Sequence, residues 1–242
     1  MRKQELKVRA IKMNKEEANK NRAIEAFLEH EHAGLPGSKL NLVFARSGVG
    51  KSSFAVNFGL DYALKSQQVL HFSVGMTSEK IHEYYHEIFL DMAKANKLSA
   101  NDWRTVEHHF TVITYIKPDN LFKKMETEIK TLIEDAGMSP KLIIVDGVDF
   151  SERSKSKLKL FEEIAEHQNI PILMTLRIHR KEDGALAIEE PLHLAQEFTD
   201  SIYLMDFEDR KIVIKRYAQS SDTPYDLPFY VEPHTMLLKK SP

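Results

Sequence analysis

From residue 40 onward, five short apolar runs alternate with helical patterns, and this alternation is what most narrows the folds open to the chain. The runs are LNLVFA (40–45), VLHFSV (69–74), FTVITYI (110–116), KLIIVD (141–146) and IPILMTL (170–176). Helical spacing fills the gaps. Residues 52–64 place Phe54, Ala55, Phe58 and Tyr62 on one face, and residues 79–94 carry Ile81, Tyr84, Tyr85, Ile88 and Phe89. Residues 121–133 follow Pro118, and residues 155–168 align Leu158, Phe161, Ile164 and Ala165. Apolar strands without polar interruption, separated by helices, predict a mainly parallel sheet covered on both faces. After Asp200 the pattern changes to SIYLMDFEDRKIVIKRYA, two strands around a Glu-Asp-Arg turn, followed by FYVEP and MLLKK. That reads as an antiparallel C-terminal extension of an α/β fold.

The 242 residues are 42% apolar and 9% aromatic, enough for one large core. A net charge of −2 excludes a protein that binds nucleic acid through overall basicity, so any such site must be a local patch. The absence of cysteine excludes disulfides, thiolate metal sites and a Cys nucleophile. No apolar run approaches 18 residues and the N-terminus has no signal-peptide stretch, so a cytoplasmic protein without a membrane partner is expected. The first 24 residues carry Arg2, Lys3, Lys7, Arg9, Lys12, Lys15, Lys20 and Arg22 against Glu5, Glu16 and Glu17. We divide the chain into a basic N-terminal arm and helix over 1–32 and one domain over 33–242. The arm's apolar stripe, Ala23, Ile24, Phe27 and Leu28, is too narrow to fold alone and needs another surface to pack on.

Ala45, Arg46, Ser47, Gly48, Val49, Gly50, Lys51 and Ser52 form a phosphate-binding loop of Walker A type, continued by Ser53, with Ala in place of the leading Gly. Small residues let consecutive backbone N–H groups face a β-phosphate, Lys51 reaches the β and γ oxygens, and the Ser52 hydroxyl is a Mg²⁺ ligand. The loop lies between an apolar run and an amphipathic helix, as that chemistry requires. Asp146 ends the run KLIIVD, where a carboxylate at a strand's C-terminal edge would help hold Mg²⁺. Asp149 could hold a water or cap the next segment. His82 and His86 are an i, i+4 pair without a third ligand, for which surface or packing roles are expected.

The strings GLPGSKLNLVFARSGVGKSSFAVNFGLDYA, VLHFSVGMTSEKI, LIIVD, IPILMTLRIHR and EPLHLAQEFTDSIYLMDFEDRKIVIKR resemble the RecA-like ATPase core of DnaB-type replicative helicases. KaiC-like ATPases are similar too. The resemblance implies a RecA-like P-loop NTPase fold, ATP and Mg as cofactors, a homo-oligomer, and single-stranded nucleic acid or a protein as partner. It also gives Lys51, Asp146, Arg177 and Arg216 as catalytic residues, Arg216 reaching into a neighbour's site. Three positions depart from that pattern. Gly75 stands where the family has the Glu that polarises water, Arg177 stands at the sensor Gln, and the Lys-x-Arg pair becomes Lys215-Arg216-Tyr217. Weak hydrolysis is therefore expected, with Glu79 or Asp149 as the candidate substitutes for the missing base. A nucleotide-gated assembly module that does not act as a motor is the alternative. Two loops, 151–159 with Arg153, Lys155, Lys157 and Lys159, and 178–190 with Arg180 and Lys181, are the candidate nucleic-acid contacts.

Overall fold

The structure is a computed structural model that describes residues 22–30, 35, 40–96, 98–99, 102–116, 120–149, 155–179, 187–199, 201–218 and 221–241. Residues 1–21 of the basic arm, Arg153, Arg180 and Lys181 lie outside the described residues. Helix α1 (Ala23–Glu29) leads into β1 (Leu40–Ala45), α2 (Lys51–Leu64), β2 (Gln68–Val74), α3 (Ser78–Asn96), α4 (Trp103–Glu107) and β3 (Phe110–Tyr115). Helix α5 (Leu121–Lys130), widened to a π turn over Thr131–Asp135, precedes β4 (Pro140–Asp149), α6 (Lys155–Gln168), β5 (Ile172–Arg177) and α7 (Glu189–Gln196). Strands β6 (Ser201–Glu208), β7 (Lys211–Tyr217), β8 (Pro224–Val231) and β9 (Leu238–Lys240) follow.

All nine strands form one sheet, ordered β3-β2-β4-β5-β1-β6-β7-β8-β9. The six from β3 to β6 pair in parallel, and β6 to β9 pair antiparallel. Each apolar run thus became a parallel strand, and the changed pattern after Asp200 became the antiparallel extension. Strand β4 runs beyond the predicted end at Asp146, with a register shift against β5 between Val145 and Val148. Gly147 sits in that shift at φ +83°, and a Cβ there would lie 2.5 Å from the Val74 carbonyl oxygen. Only glycine fits both the backbone angle and the close approach of β2.

Alternation along the strands sorts side chains into two cores. Leu42, Phe44, Phe72, Val145 and Met174 meet Phe161 and Leu158 of α6 on one face. On the other, Val43, Val69, Ile144 and Leu173 meet α2 and α3. Helix α2 is buried on almost all sides, consistent with apolar residues around its whole circumference. The stripe of α1 finds its surface here: Phe27 packs edge-on against Phe54, Phe58 and Phe229, at ring separations of 5.9, 5.5 and 5.1 Å. Arg22 is buried beside it, 3.7 Å from Asp61, and burial lowers its pKa while Asp61 acts to raise it.

Two expectations overlap over 155–159, a helix over 155–168 and a loop over 151–159, and the fold decides between them. The chain is helix α6 from Lys155, so Lys155, Lys157 and Lys159 stand on its first turns. Lys155 pairs with Glu197 at 2.6 Å, Lys157 lies 4.6 Å from the Phe122 ring centroid, and Lys159 is 3.8 Å from Glu163. Strong helix formers and the stripe of Leu158 and Phe161 outweigh the charge run.

Candidate nucleotide site

The parallel order puts the strand before the phosphate loop, β1, next to β5, and β5 next to β4. Their C-terminal ends carry the loop, Arg177 and Asp146, and together they open into a cavity of about 860 Å³. Ser47, Gly48, Gly50, Lys51, Ser52 and Ser53 line it, with Asp146, Asp149 and Arg177. Gly48 and Gly50 hold φ +79° and +95°, turning the backbone so that α2 begins at Lys51. The other loop residues face elsewhere. Ala45 and Val49 are buried in the core, and Arg46 turns to Asp206 of β6 at 3.0 Å.

Lys51 Nζ donates to the carbonyl oxygens of Ala45 and Arg46 at 3.1 and 2.9 Å. Burial lowers its pKa, offset by Asp146 and reinforced by the Arg177 charge. The ammonium is thus held inside the loop by neutral acceptors that an anion can replace. Asp146 is fully buried; one carboxylate oxygen accepts from the Thr175 hydroxyl, and the other, Oδ2, has no hydrogen-bond partner among the described residues. Magnesium binds hard oxygen donors and keeps several waters, so an unsatisfied carboxylate oxygen in a cavity that Ser52 also lines fits that ion.

Of the other sequence-predicted residues, Arg177 is present, but its guanidinium grips Asp149 with two bonds of 2.7 and 2.9 Å. Asp149 is therefore engaged in an exposed ion pair, each of its oxygens accepting one bond from Arg177. Glu79 is absent from the lining: its carboxylate pKa is lowered by a backbone hydrogen bond of its own residue and by Thr77. Arg216 lies on β7, reaching Ser201 at 3.4 Å, and is not in this chain's cavity. Gly75 does line the cavity, at φ +86°, with nothing within 4 Å of where a Cβ would stand and its N–H bonded to the Tyr115 carbonyl oxygen at 2.8 Å.

Sequence reasoning missed two walls. Tyr84, Glu87 and Asp91 bring a polar stripe of α3 into the lining; their i, i+3 and i, i+7 spacing was the available signal. The turn Pro233, His234, Thr235 and Met236 closes the opposite side. Asn57 clasps it, donating from Nδ2 to Met236 O at 2.7 Å and accepting at Oδ1 from Leu238 N–H at 3.1 Å. His82 and His86 instead pack on aromatic rings, 5.6 Å from Phe110 and 5.0 Å from Trp103.

The family model of the DnaB-like helicase C-terminal domain matches residues 25–181, which include the loop, β2, Asp146 and β5. The chain belongs to the DnaB-like helicase C-terminal domain family. Its RecA-like ATPase fold follows from that membership together with the mainly parallel sheet and antiparallel extension. No curated protein matches the chain. Among the described residues, no helix of this DnaB-like domain is long and apolar enough to cross a membrane.

Proposed function

We propose that this DnaB-like domain binds Mg-ATP at Ser47–Ser53 and Asp146 and hydrolyses it slowly. The observation that carries the reading is one cavity holding Lys51, Ser52 and Asp146 while Gly75 stands at the position of the water-polarising carboxylate. A positioned base contributes roughly a hundred- to ten-thousand-fold to such a step, and glycine contributes none. Arg177, tied to Asp149, adds positive charge near a γ-phosphate, which favours retention of ATP over activation of water. Oligomers are typical of the family, and Arg216, outside its own cavity, would serve a neighbour's. The pairing of Arg177 with Asp149 favours, as a second reading, a nucleotide-gated assembly module in a soluble, cytoplasmic setting. Single-stranded nucleic acid or a protein would be its partner.

The test is ATP turnover with and without single-stranded DNA, alongside a mass measurement with and without Mg-ATP. We expect binding, nucleotide-dependent assembly, and turnover below about one per second. Gly75→Glu should raise turnover at a stability cost of about 1–2 kcal/mol for a side chain at positive φ. Brisk wild-type turnover would overturn slow hydrolysis and point to a motor.

A further inference from the structure

Behind Asp146, on the α2 face of the sheet, three fully buried residues each hold a polar atom without a hydrogen-bond partner among the described residues: His71 Nε2, Ser73 Oγ and Asp146 Oδ2. Ser73 and Asp146 are register partners on the parallel strands β2 and β4, so their side chains leave the same face. His71 precedes Ser73 by two residues and shares that face. Asp146 acts electrostatically on His71 and on Tyr85, as does His82 on His71. His71 Nδ1 lies 3.0 Å from the Tyr85 hydroxyl. Room for that hydroxyl is made by Gly59, where a Cβ would sit 2.2 Å from it.

Buried polar groups are almost always satisfied, and one water with three polar partners is the usual way to satisfy a cluster this small. We propose that His71 and Ser73 hold a buried water against the Asp146 carboxylate, making His71 a positioning residue for that carboxylate. This rests on the reading of Asp146 as the magnesium carboxylate. The donors run one way. The Tyr85 phenol, kept protonated by burial, donates to Nδ1; Nε2–H and the Ser73 hydroxyl donate to the water; the water donates to Asp146. With the Thr175 hydroxyl on Oδ1, each carboxylate oxygen then receives a donor from inside the protein. Its remaining lone pairs stay free for a ligand in the cavity that Asp146 lines, as an outer-sphere network leaves those of a metal ligand.

Two measurements test this separately. In the nucleotide- and metal-free chain, ¹⁵N NMR of the imidazoles should show His71 protonated at Nε2 and bare at Nδ1, and a crystal structure should show an ordered water between His71, Ser73 and Asp146. The opposite tautomer, or a dry site, overturns the proposal. In ATP titrations, His71→Phe should weaken the Mg²⁺-dependent part of binding about tenfold, while His71→Gln, which keeps a donor, retains most of it. Binding without Mg²⁺ should stay unchanged in both. Ser73→Ala, a smaller change, should weaken the same part and serves if His71→Phe does not fold. Well-folded variants with unaltered Mg²⁺ dependence overturn the positioning role. Failure of the wild-type chain to bind Mg-ATP would instead overturn the proposed function, and the tautomer measurement would still decide the water site.

Discussion

The two faces of the central sheet are built from the same strands and differ in kind. Toward α6 the strands present Leu42, Phe44, Phe72, Val145 and Met174, an apolar surface on apolar helices. Toward α2 the same strands present Asn41, His71, Ser73, Asp146 and Thr175, all buried, among Val43, Val69, Ile144 and Leu173. Both faces carry apolar cores that hold the domain together, and the second also carries a polar interior up to the phosphate loop. Period-two alternation lets one strand serve both, because neighbouring residues answer to different environments.

Substitutions on each face should break this contrast in different observables. Phe161→Ala empties the apolar core beneath the sheet and should cost about 3–5 kcal/mol in chemical denaturation, with nucleotide affinity of the folded fraction unchanged. Lys51→Ala should leave the unfolding midpoint nearly in place and weaken ATP binding at least about a hundredfold, on the order of 3 kcal/mol, as read by calorimetric titration. Equal effects of both on stability would erase the distinction. Gly147→Ala tests the seam between the faces: a methyl 2.5 Å from the Val74 carbonyl at positive φ should cost about 2–3 kcal/mol and shift Asp146, so stability and Mg-ATP affinity should fall together.

The smallest effect is expected on the outer surface. Neutralising Lys155, Lys157 and Lys159 together removes exposed ion pairs and a cation–ring contact, and should cost about 1 kcal/mol or less. If single-stranded DNA binds there, the slope of log affinity against log salt should fall by about two. An unchanged slope would place the nucleic-acid contacts elsewhere.

The sequence made the apolar face legible because Phe44, Phe72 and Met174 sit in runs whose composition alone demands burial. The phosphate loop was equally plain, since its glycines, Lys51 and Ser52 are contiguous and their chemistry is local. His71 and Ser73 were hidden inside VLHFSV, where a strand buried on both faces shows no outward alternation. The continuation of β4 through Gly147 was not expected, because the apolar run ends at Asp146 and a glycine follows it. The lining by Glu87, Asp91 and Pro233–Met236 depends on how α3 and the β8–β9 connection settle over α2. Local pattern carries no signal for contacts of that range, and the Asn57–Met236 bond spans 179 positions.

That clasp also sets an order of assembly. The phosphate loop and α2 emerge from the ribosome early, but Asn57 Oδ1 waits for a backbone N–H 181 positions further along. At ordinary elongation rates the interval is roughly ten to forty seconds. Late in it, once β6 has been made, the parallel strands can pair while the nucleotide cavity stands open on its Pro233–Met236 side. A nascent domain therefore passes through a stage in which its anion cradle is formed and its enclosure is not, and translation of the antiparallel extension separates the two.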